Sequence, residues 1–178
     1  SLSESDTVYL SLGGQLRARW ESWENFNFTP SNDDDFGLLR LRLHGDLRAG
    51  PMLRLFVEVK SAEATDRELP GGRRTLDVDS LDVQNAFADL TGDLFGWNST
   101  LRLGRQELSY GAQRLVSPLD WSNTRRTWDG ARAIFKRDSW RVDAFATRPV
   151  IVEKYDFNEW DHAQEFYGVY AVHEVPSW

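Results

Sequence analysis

The chain has 178 residues and a formal net charge of −7, room enough for one full-sized domain but without the basic footprint of a nucleic-acid binder. It has no cysteine, which excludes disulfides and thiolate metal sites. Its 8 Trp, 5 Tyr and 10 Phe are too many aromatics for a disordered chain, and no apolar run is long enough for a transmembrane helix.

Eight strands are predicted from apolar–polar alternation, since successive side chains on a strand point to opposite faces. The first, TVYLSLGGQLRARWESW, sets Val8, Leu10, Leu12, Gly14, Leu16, Ala18 and Trp20 against Tyr9, Ser11, Gln15, Arg17, Arg19 and Glu21. The second, FGLLRLRLHGDLRAG, is the longest and cleanest. Gly37, Leu39, Leu41, Leu43, Gly45, Leu47 and Ala49 share one face, and Arg40, Arg42, His44, Asp46 and Arg48 share the other. The third, MLRLFVEVKS, sets Leu53, Leu55, Val57 and Val59 against Arg54, Phe56, Glu58 and Lys60. The fourth, LDVQNAFADL, has Ala86, Ala88 and Leu90 as its apolar row. STLRLGRQEL and TWDGARAIFK follow. The seventh, WRVDAFATR, places Arg141, Asp143, Phe145 and Thr147 opposite Trp140, Val142, Ala144 and Ala146; the eighth is EFYGVYAV.

The connections alternate. Long segments follow strands one, three, five and seven, and short ones follow strands two, four and six. Outer-membrane barrels show this rhythm, with long loops outside and tight turns on the periplasmic side, and their strands are long enough for a tilted crossing. Trp20, Trp23, Trp97, Trp128 and Trp140 fall near predicted strand ends, as interfacial aromatic girdles would. The expected fold is therefore all-β: an antiparallel, up-and-down transmembrane β-barrel with its leucines toward lipid. The polar rows then line the lumen, where Arg17, Arg19, Arg40, Arg42, Arg48, Arg54 and Lys60 outnumber Glu21, Asp46 and Glu58. Arg141 joins them from the polar row of strand seven. Such a lining attracts anions. Inward Arg–Asp and Arg–Glu pairs that only knit the wall together are the competing reading of each arginine. Arg102 and Arg105 differ in parity, so either a bulge at Gly104 re-aims the strand or Arg105 lies beyond the lipid band.

The segment LRLGRQELSYGAQRLVSPLDWSNTRRTWDGARA, residues 101–133, resembles the alginate export family of outer-membrane porins. Supporting pieces are LGGQLRARWESWENF, LRLRLHGDL, LDVQNAFADL, WRVDAFATRPV and FYGVYAV. The resemblance implies a monomeric barrel of about eighteen strands in the bacterial outer membrane, with an arginine-rich pore passing alginate-like polyuronate. It also implies outer-membrane lipid and periplasmic export components as partners. Arg105, Arg125, Arg126 and Arg132 carry over as pore residues from the matching motifs. Residues 1–178 are expected to form a single barrel domain, the N-terminal portion of a longer barrel that begins near the mature start SLSESD, with Pro176 interrupting any terminal strand.

No catalytic function, cofactor or metal site is expected. His44, His162 and His173 lack ligand spacing, the NDDD run reads as a solvated acidic loop, and no acid/base pair, phosphate loop or nucleophile elbow is present. Asn98-Ser99-Thr100 fits a sequon but falls in a predicted short turn. Two rival readings stay open. A soluble carbohydrate-binding β-sandwich would put the leucines in a dry core, and a small barrel closed by this chain alone would be structural, without transport.

Overall fold

The computed structural model describes residues 7–68 and 71–174. The predicted mature start and the stretch containing Pro176 lie outside the described residues.

Among the described residues nine strands form: β1 (Val8–Trp23), β2 (Asp34–Ala49), β3 (Leu53–Thr65), β4 (Asp79–Leu94), β5 (Trp97–Gln106), β6 (Trp128–Arg137), β7 (Trp140–Ile151), β8 (Glu159–Trp160) and β9 (Phe166–His173). All eight predicted strands are among them. The ninth, the two-residue β8, lies inside a predicted loop. Each strand pairs antiparallel with the next as far as β7, β9 lies along most of β7, and β8 pairs only with Val150 and Ile151. β1 and β9 are the two edges. The sheet is open, so the described residues do not form the small self-closed barrel of the rival reading.

The connections keep the predicted alternation. Tight turns join β2 to β3, β4 to β5 and β6 to β7, and long segments fill the other gaps. One short connection is shorter than predicted: β4 runs to Leu94 and β5 starts at Trp97, leaving Phe95 at φ 55° and Gly96 at φ 79°. Two successive left-handed residues make the turn whose twist suits a two-residue hairpin. Asn98–Thr100 therefore lies in a strand, not in the turn.

The two faces invert the usual arrangement, in which charged side chains are exposed and leucines buried. Leu12 is 78% exposed, Leu16 69% and Leu43 52%, while Arg40 is 1% exposed and Asp143 0%. In the register, Leu16 stands beside Leu41 and Arg17 beside Arg40, which builds continuous apolar and charged rows across β1 and β2. No second sheet covers the leucines, contrary to the soluble sandwich.

What covers the long-loop end of the polar face is the 107–127 segment between β5 and β6, here called the inner loop. Two small apolar clusters sit at the long-loop end, on the polar side. One is Phe36, Leu38, Ala64 and Val78 with Trp23; the other is Leu108, Tyr110 and Trp128 with Phe145, Phe166 and Tyr170. Trp23 and Trp128 therefore pack inward and are not girdle residues, whereas Trp20 and Trp140 are exposed on the apolar face.

The pairing of β5 runs through Gly104 without a register shift, so no bulge re-aims the strand. Gly104 stands opposite Gly130, and a Cβ on Gly104 would lie 2.2 Å from the Ala86 carbonyl oxygen. Only glycine permits that close approach and the accompanying φ of 121°.

Candidate functional site

The inner loop is pinned to the charged face by its backbone. The Arg17 guanidinium donates to the carbonyls of Asp120 and Ser122, both at 2.8 Å, and Arg19 donates to that of Trp121 at 2.8 Å. Arg40, buried beneath the loop, donates to the Ser122 carbonyl at 3.1 Å and to Gln15 Oε1 at 3.2 Å. Lys60 donates to the Thr124 carbonyl and pairs with Asp79 at 2.8 Å. Asn123 Nδ2 lies within hydrogen-bond distance of the carbonyls of Leu39, Glu63 and Asp77, tying the loop to β2, β3 and the 66–78 connection. A hydrogen bond from a charged group contributes roughly 1.5–3 kcal/mol. Several acting together hold the loop as a fixed part of the wall.

The loop's side chains complete the ion pairs. Arg125 binds both Glu107 and Asp120. Arg42 pairs with Glu58 at 2.6 Å and reaches Glu107 at 3.6 Å. Five of the predicted arginines, Arg17, Arg19, Arg40, Arg42 and Arg125, thus meet at one level of the sheet, under and around the loop.

Three more lie toward the short-turn end. Arg54 pairs with Asp46 at 2.8 Å and Asp89 at 3.7 Å, while Arg132 and Arg141 share Asp143. Two predicted residues are not brought together with the others. Arg105 stands in register with Ala86 and Asp129, in the row of the apolar face near the long-loop end. There it pairs with Asp129 at 2.9 Å and donates to the carbonyls of Val83 and Asn158, so the 152–158 segment covers it. Arg126 is exposed, and its backbone N–H donates to the Pro118 carbonyl.

Sequence reasoning missed the anchor of the 66–78 connection. Arg67 is buried between the rings of Trp23, at 4.2 Å, and Phe36, at 4.1 Å. It pairs with Asp34 at 2.8 Å and Asp77 at 3.3 Å. Asp34, part of the run read as a solvated acidic loop, is therefore a buried ion-pair partner. Burial pushes the Asp77 carboxyl up, but hydrogen bonds from the Arg74 side chain and backbone outweigh it and hold the group below the ordinary carboxylate range. The same contact raises the Arg74 guanidinium. In the inner loop, burial pushes the Tyr110 phenol up to about 12.

An antiparallel up-and-down sheet with an exposed leucine face and an ion-paired opposite face has the architecture of a β-barrel wall. The alginate export family model matches residues 8–177, and the chain belongs to that family, a family of outer-membrane channels rather than of enzymes. Neither a curated protein nor a solved structure matches the chain.

Proposed function

We propose that this chain forms part of the wall of an outer-membrane conduit that passes an anionic polysaccharide, an alginate-like polyuronate, along an arginine-lined lumen. The observation that carries this reading is the inversion of the sheet: its leucine rows are exposed, and its arginine rows are ion-paired and, at the long-loop end, covered by the inner loop. In a membrane the first would meet acyl chains and the second would bound water. Family membership supports the cargo class. The guanidinium fork suits a carboxylate, which it engages with two parallel N–H···O bonds. Passage down a gradient requires no cofactor, and each contact must be weak enough for the polymer to step onward.

The test is the reversal potential of the full-length protein in a planar bilayer under a potassium chloride gradient. The expected sign is that of chloride preference, which shrinks toward zero when a uronate oligomer occupies the lumen. A cation-selective channel, or a protein that inserts without conducting, refutes the reading.

A further inference from the structure

The arginines under the inner loop are largely committed to it, whereas those at the other end of the same face border open space. A cavity of about 640 Å³ opens there, between the polar rows of β1 to β7 and the 50–52 turn. Arg48, Arg54, Arg102, Arg132, Lys136 and Arg141 line it.

Three acids at this level, Asp46, Asp89 and Asp143, are each shared by two arginines, and a fourth, Asp93, stands in register with Asn98 and, through it, Lys136. Asp46 binds Arg48 and Arg54, Asp89 binds Arg54 and Arg102, and Asp143 binds Arg132 and Arg141. Six cations against these four carboxylates leave two positive charges in surplus around one cavity. Lys136 is exposed and has no ion pair among the described residues. The guanidiniums are also held in place before any ligand arrives. Arg102 lies 3.6 Å over the Phe87 ring, Arg54 lies 5.0 Å over Phe56, and the two rings stack at 5.1 Å. Each guanidinium has five N–H donors, more than one shared carboxylate takes up, so donors remain for a further acid.

We infer that this cavity is a capture site for carboxylate-bearing sugar units at the short-turn mouth of the lumen, separate from the arginines held by the inner loop. The inference rests on the conduit reading and deepens it. In outer-membrane barrels the short turns face the periplasm, so an exported polymer would meet this mouth first. A low-dielectric wall focuses the surplus charge into the opening and raises the local concentration of an anionic chain end. The cavity volume lies within the range of ordinary small-molecule sites.

The experiment uses the full-length protein inserted in one orientation in a planar bilayer, with a mannuronate oligomer added to either chamber. The variant is Arg48→Gln with Lys136→Gln. Asp46 keeps Arg54 and Lys136 leaves no partner behind, so no buried charge is orphaned. The concentration for half-block from the turn side is expected to rise at least tenfold, since two cations that offer charge-assisted contacts are removed, while that from the loop side stays unchanged. An equal rise from both sides, or no rise from the turn side, overturns the capture site and leaves the conduit standing. A wild-type protein that the oligomer blocks from neither side overturns both.

Discussion

Replacing Leu43 with arginine sets lipid against water as the solvent of the exposed face. On β2 the apolar row runs from Leu39 to Ala49, ten residues along a strand that rises about 3.3 Å per residue. Tilted by about 40°, that row covers about 25 Å of membrane normal, the height of the apolar band on outer-membrane barrels. Leu43 lies one residue from its centre, is 52% exposed, and stands in register with Gly14 and Val59. Arginine at the midplane of such a band costs about 2–4 kcal/mol, falling to about 0–1 kcal/mol near the interface. Leu43→Arg should therefore cost the larger amount and Leu39→Arg, at the loop-end margin of the row, the smaller. In water both would stay within about 0.5 kcal/mol of wild type, since an exposed leucine has little to lose. The assay is reversible guanidinium unfolding of the full-length protein from phospholipid vesicles, followed by tryptophan fluorescence. Equal, near-zero costs at both positions would refute the assignment of this face to lipid, and with it the conduit.

A fluorophore on Leu41→Cys should be quenched by brominated acyl chains and one on Arg42→Cys should not; the chain's lack of native cysteine makes each label unique. Arg40→Ala removes a buried guanidinium from the Ser122 carbonyl and the Asp120 carboxylate, and should speed amide exchange across the inner loop at least tenfold, measured by mass spectrometry, while β2 itself stays protected. Gly104→Ala drives a methyl group into the Ala86 carbonyl at a φ that alanine resists, and should cost about 3 kcal/mol or more in the vesicle unfolding assay. The Asp77 carboxyl, whose folded value is depressed, adds stability that is fully present above its unfolded value of about 3.8 and is lost as pH falls through the lower folded value. Amide exchange in residues 71–78 should thus rise below about pH 4, and Asp77→Asn should show the faster exchange already at neutral pH.

The apolar and charged faces were legible because period two is a backbone property: once a stretch is a strand, its parity assigns every side chain. Arg17, Arg40 and Arg42 follow from it directly. Parity also places Arg105 opposite Arg102, and Trp128 in the same row as Arg132; there the motif match and the appeal of a girdle pointed elsewhere, and the register sides with parity. The inner loop was not legible for a physical reason. Its grip on the wall comes mostly from backbone carbonyls of Asp120, Trp121, Ser122 and Thr124, acceptors that every residue carries and no sequence pattern marks. Asn123 and the Arg67–Asp34–Asp77 anchor depend on partners 10 to 84 residues away in the chain, which spacing does not reveal.

On the proposed reading, the distribution of partners matters more for transport than the number of arginines. A guanidinium bonded to the loop's carbonyls, such as Arg40, can meet a passing carboxylate only if the loop yields, and the Asn123 and Lys60 contacts oppose that movement. A guanidinium that shares one aspartate with a neighbour, such as Arg48 or Arg141, can meet it without breaking the fold. The first kind shapes the lumen, and the second supplies its free charge. The net charge of −7 for the whole chain conceals this, because acids in the long loops outweigh a surplus of cations confined to one mouth of the polar face. Selectivity in such a wall therefore follows from which acids are shared between two arginines, so removing Asp89 should strengthen anion preference, while removing Arg40 should act mainly through the loop.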